Sequence, residues 1–94
     1  MTRLEKLMSL TFTEFEANWP AFDASPAPVP GMPVCLAVGR GQVAIAYEPQ
    51  ANVRLGGLLD LPRALVSFTF DRVEPEECAA LLARFDRAFQ RGGG

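Results

Sequence analysis

The 94-residue chain contains no histidine. Histidine carries most enzymatic proton transfer near neutral pH and is the commonest metal ligand, so its absence excludes the usual zinc sites and the Ser-His-Asp and Cys-His nucleophile arrangements. Cysteine is nearly as scarce. Cys35 and Cys78 each stand alone in sequence, with no neighbouring thiol to form a redox pair or a ligand cluster. Long apolar runs are missing too: Gly, Pro, Arg or Asp interrupts every stretch well before the roughly 20 residues that a bilayer span requires. The first eight residues carry Glu5 and Lys6 where a secretory leader would be apolar. These absences predict a cytoplasmic location, reduced thiols and no association with membranes. Basic charge is not in excess either, and a net charge of -2 gives no general attraction toward nucleic acid.

What is present suits one packed core. Hydrophobic residues make up 49% and charged residues 21% of a 10.2 kDa chain, which argues for a single domain rather than a disordered segment. Phe12, Phe15, Trp19 and Phe22 recur at steps of three and four, placing four aromatics on one side of a helix. Thr11 and Glu14 have the spacing of a capping box at its start, and Pro20 predicts its end. Residues 1–10 read as a flexible tail or a short helix over Arg3 to Met8, with Thr2 and Glu5 as a second box. Prolines at 26, 28, 30 and 33 predict an extended connector over residues 23–33, within a domain that runs from 11 to 94.

Beyond the connector the period changes to two. Val34 to Val38 and Val43 to Tyr47, joined by Gly39-Arg40-Gly41-Gln42, predict a hairpin with one large apolar face and one small face. A second pair is expected over Val53 to Leu59 and Ala64 to Phe70, turning at Asp60-Leu61-Pro62-Arg63, with Gly56-Gly57 marking a bulge. The last element is a helix that opens at Pro75, with Glu76 and Glu77 at the positive end of its dipole, and stops at Gly92. Its apolar set Cys78, Leu81, Leu82, Phe85, Ala88 and Phe89 forms one stripe. The predicted fold is therefore two-layer α+β: an N-terminal helix, an antiparallel meander of three to four strands, and a C-terminal amphipathic helix packed on one sheet face.

No constellation of reactive groups stands out. Gly39-Arg40-Gly41 joins two strands, whereas a phosphate-binding loop needs a helix start behind it. Asp60, Asp71, Glu74, Glu76 and Glu77 have the oxygen ligands a hard cation takes, and acids complementing a helix dipole explain most of them equally well. Arginine outnumbers lysine eight to one, the mark of a GC-rich genome, expected to be bacterial. Arg40, Arg54 and Arg63 fall at turns or strand ends and are candidate contacts for an anion or a partner if they converge on one edge. The sheet's aromatics alternate toward the helix side, unlike those of RNA-binding sheets, so no nucleic-acid partner is expected.

The terminal Arg91-Gly92-Gly93-Gly94 resembles the tails of ubiquitin-like modifiers and sulfur carriers, and implies as one alternative a carrier or enzyme component that uses the tail. In those families the tail follows a strand. Here it follows the last helix, and a helix stop with a frayed end at 92–94 accounts for it. In size, acidity and element order the chain also resembles dimeric secretion-type chaperones. The reading favoured over both is a small interaction or regulatory module with no catalytic machinery, no metal and no cofactor. Cys35, Ala37, Ala44 and Ala46 should share the small face of the sheet, and neither water nor the last helix is a natural neighbour for it. A homodimer is expected, together with an unknown protein partner, unless the aromatic N-terminal helix covers that face.

Overall fold

The computed structural model describes residues 1–57 and 59–90, apart from the side chain of Leu55. At the start of α1 (Phe12–Asn18) the predicted box is formed: the Glu14 N–H donates to Thr11 Oγ1 at 3.1 Å, and the Thr11 N–H donates to Glu14 Oε1 at 2.8 Å. Each bond satisfies a donor that the first turn leaves free. Pro20 then tightens the chain into a single 3-10 turn, Trp19–Ala21, whose closing bond from the Phe22 N–H to the Trp19 carbonyl keeps Phe22 with the other aromatics. The connector follows, tied back by the Trp19 Nε1–H, which donates to the Ser25 carbonyl at 2.7 Å.

Four antiparallel strands make one sheet: β1 (Thr2–Met8), β2 (Val34–Val38), β3 (Gly41–Leu55) and β4 (Leu59–Asp71), in the spatial order β1-β4-β3-β2. α2 (Pro75–Phe89) lies across it, and the architecture is α+β as predicted. Both helices pack on the same face. Phe15 sits 4.7 Å from Tyr47 and 5.2 Å from Phe89 by ring centroids, and Phe85 sits 5.0 Å from Phe68 and 4.4 Å from Phe89. Val43, Ile45, Tyr47, Val66, Phe68 and Phe70 supply the floor of this core, all of them buried.

Two local predictions are corrected. Residues 2–8 form a strand, not a tail or a helix: Thr2 pairs with Phe70 and Met8 with Ala64 in register. Two turns of helix are too few to be stable alone, whereas a strand here satisfies the backbone groups along the outer border of β4, whose side chains are in the core. Val53 to Leu59 is not a separate strand. β3 runs continuously from Gly41 to Leu55, with a register shift between Gln50 and Val53, and the chain reverses at Gly56-Gly57 rather than at Asp60 to Arg63. Those glycines have φ of +63° and +76°, the left-handed region that residues with a Cβ avoid. Beyond Met8 of β1 and Val34 of β2, only β3 and β4 continue, so their ends form a two-stranded ribbon.

Candidate functional site

The register settles which residues share the face that the helices leave open. Cys35 pairs with Ala44, Ala44 with Thr69 and Thr69 with Arg3; in the adjacent row Ala46 pairs with Ser67 and Ser67 with Glu5. Ala37 pairs with Gln42 at the hairpin end. Cys35, Ala37, Ala44 and Ala46 thus lie on one face, which is small and nearly uncharged toward β2 and carries the Arg3–Glu5 ion pair, 2.9 Å, toward β1. Cys35 and Ala37 are exposed and Ala44 and Ala46 half-buried. Among the described residues no helix covers this face, because α1, with its aromatics against Tyr47 and Phe89, belongs to the other side. Both cysteines are free thiols.

The three candidate arginines do not converge. Arg40 occupies the β2–β3 turn, while Arg54 and Arg63 stand on the ribbon at the opposite end of β3. Arg54 pairs with Asp60 at 3.1 Å, both exposed; Arg63 is half-buried opposite Gln50, its Nε without a hydrogen-bond partner among the described residues. Arg40 instead shares a cleft with Arg72, a residue the sequence does not single out. The two line a cleft of about 540 Å³ with Met1, Thr2, Phe70, Val73 and Glu74, where β1 begins and β4 hands over to α2. Arg72 has φ of +58°, an uncommon and costly conformation for a residue with a Cβ. No sequence pattern foretold it, since the strain arises where β4 must turn into the helix. The Glu74 N–H donates to Glu77 Oε1 at 3.1 Å, so Glu77 is engaged in starting α2.

A second cleft, of about 300 Å³, runs between β2 and α2, lined by apolar Leu36, Val38, Ala80 and Leu81 and by charged Asp23, Glu77 and Arg84. Arg84 lies over the Phe22 ring, 5.0 Å from its centroid. The Asp23 carboxyl is held below its ordinary range, first by the Ser25 side chain and also by the Ser25 N–H, which donates to Oδ2 at 2.9 Å, and by the Arg84 charge; partial burial opposes them. Burial pushes the Tyr47 phenol up.

Among the described residues, no three Cys, Asp or Glu side chains come together as ligands for a metal ion, and no helix is long and apolar enough to cross a membrane. Arg91 and the glycines of the terminal tail lie outside the described residues. No protein-family model matches the chain, and neither the curated proteins nor the solved structures compared with it include a match.

Proposed function

We propose that this chain is a small protein-interaction module without catalytic machinery, working as a homodimer, with the open face of its sheet as the contact surface for a protein partner. One observation carries the reading: both helices pack on the same side, leaving Cys35, Ala37, Ala44 and Ala46 on a face that nothing in the described chain covers. Small side chains let another backbone approach closely, and a contiguous uncharged patch of this kind is unusual on a free surface. The lack of histidine, the side chain that most often moves protons near neutral pH, supports a binding role over an enzymatic one.

The test has two parts. Light scattering on the purified chain at micromolar concentration should give twice 10.2 kDa, and a monomer there refutes the homodimer. Ala44→Arg plants a guanidinium in the middle of the open face. It should abolish co-purification of a partner from the native cytoplasm while leaving the Trp19 fluorescence of the fold unchanged. A partner retained in full by that variant would place the contact elsewhere.

A further inference from the structure

The sheet's strand borders are not equally protected against pairing with another chain. Unpaired N–H and C=O groups along a border are a template for a further strand, and natural sheets blunt them with charges, prolines or irregularities. The outer border of β1 carries Arg3 and Glu5, with Lys6 on the core side reaching Asp86 at 3.0 Å. The ribbon is also guarded. Gly39, with φ of +56°, is the first residue of a two-residue turn before Arg40, the type II′ arrangement that makes Val38 and Gly41 a doubly hydrogen-bonded pair. Alternation from that pair sends the backbone groups of Val43, Ile45, Tyr47 and residue 49 away from β4, and those of residues 62, 64 and 66 away from β3. Pro49 and Pro62 therefore present their missing donors to the two outer borders of the ribbon, where a proline costs no ladder bond.

The border of β2 carries no such device between Val34 and Val38. By the same alternation its outward groups are those of Cys35 and Ala37, and no described residue donates to them or accepts from them. The segment Val34-Cys35-Leu36-Ala37-Val38 is close to a palindrome in side-chain size: large, small, large, small, large. Antiparallel pairing of β2 with its own copy about a two-fold axis at Leu36 sets Cys35 opposite the partner's Ala37 and Val34 opposite the partner's Val38. Cys35 and Ala37 then exchange N–H and C=O bonds reciprocally, and the two Leu36 side chains meet as the closer, non-hydrogen-bonded pair. Shifting the axis to Cys35 would set Ala37 against Pro33, which has no N–H to give. On the core side, the partner's Leu36 and Val38 arrive beside the cleft walled by Leu36, Val38, Ala80 and Leu81.

Resting on the homodimer reading above, we infer that the second copy joins by β2–β2 pairing centred on Leu36, making one continuous eight-stranded sheet from two sheets of four. The open faces then lie side by side on one surface, with Cys35 and Ala37 at the seam and Ala44 and Ala46 flanking it, available to a partner protein. The interface is isologous and closes on itself, so the assembly stops at two.

Three variants test it with light scattering, each checked for fold by Trp19 fluorescence. Ala37→Pro removes an outward donor and no β2–β3 bond, and is expected to give a monomer. Ala44→Arg, one strand in from the seam, is expected to remain a dimer. Leu36→Cys, made on a Cys35→Ala background, is expected to form a cross-linked dimer on mild oxidation, because the paired Cα atoms would be ~4.5 Å apart. The cross-link decides the matter if Ala37→Pro fails to fold. A dimer that Ala44→Arg splits and Ala37→Pro does not, with no Leu36→Cys cross-link, overturns the β2 seam while leaving a homodimer. An unmodified chain that is monomeric, again with no cross-link, overturns both.

Discussion

Phe85→Ala removes the ring that joins the C-terminal helix to everything beneath it. Phe85 has no exposed surface, and its ring centroid lies 4.4 Å from Phe89, 5.0 Å from Phe68 and 5.3 Å from Phe22, one neighbour each from α2, the sheet and the N-terminal aromatic set. Emptying a fully buried phenylalanine site costs about 3–5 kcal/mol. With three ring partners lost, each worth about 0.5–1.5 kcal/mol beyond burial, the upper half of that range is expected here. A domain of 94 residues has roughly 5–14 kcal/mol in all, so the variant is left with a small margin or none. Urea unfolding followed by the fluorescence of Trp19, the one tryptophan, reads this directly, and thermal unfolding should fall by roughly 15–35 °C. Leu7→Ala, on the open face and 57% exposed, is the control and should stay within about 0.5 kcal/mol of the parent. A Phe85→Ala midpoint within a few degrees of the parent would mean that α2 is not seated on this core.

Three further outcomes follow from the same structure. Asp23 has a lowered folded value, so the stability it contributes is present above the ordinary 3.8 and lost as pH falls through the folded value; Asp23→Asn should be the less stable protein at neutral pH, and the gap should close in acid, as urea midpoints across pH will read. Tyr47 has a raised folded value, so stability is complete below 10.0 and falls as pH rises past it; as the one tyrosine, it should ionise in the native protein above that value by tyrosinate absorbance, and ionisation at the ordinary value would contradict its burial. Exposed Cys35 should react with a thiol reagent well before half-buried Cys78, whose Sγ lies 4.0 Å from the Val73 carbonyl, and equal rates would place Cys78 at the surface.

Periodicity was a good guide wherever a face had to be buried. The aromatic side of α1, its capping box, the Gly39 hairpin and the α2 stripe all follow from residues within a few positions of one another. Leu82, Ala88 and Cys78 are only half-buried, so the apolar stripe extends past the part of α2 that Leu81, Phe85 and Phe89 seat on the core. β1 was illegible because it is a border strand: Arg3, Glu5 and Lys6 blur the alternation, and its reason for being extended is β4, far along the chain. The ribbon defies local reading because Pro49 and Pro62 resemble strand breakers. They are tolerated because β1 and β2 have already ended beside them, a fact about neighbours that no local window holds. The small face was legible as a pattern. That it stays uncovered depends on where α1 packs, and its amphipathic face alone does not specify that.

The placement of β1 also sets an order of assembly. β2, β3 and β4 are joined by tight turns and can pair locally, but Thr2 reaches its partner Phe70 only across all the residues of β2, β3, α1 and the connector between them. Closing a loop of that size costs about 3–4 kcal/mol of chain entropy before any contact repays it. The earliest of the four strands in sequence is thus the last to find its place, and until it does, the border of β4 beside Phe68 and Phe70 is unpaired. Hydrogen exchange in the native state should therefore release the amides of β1 as a unit, ahead of those in the middle of β3.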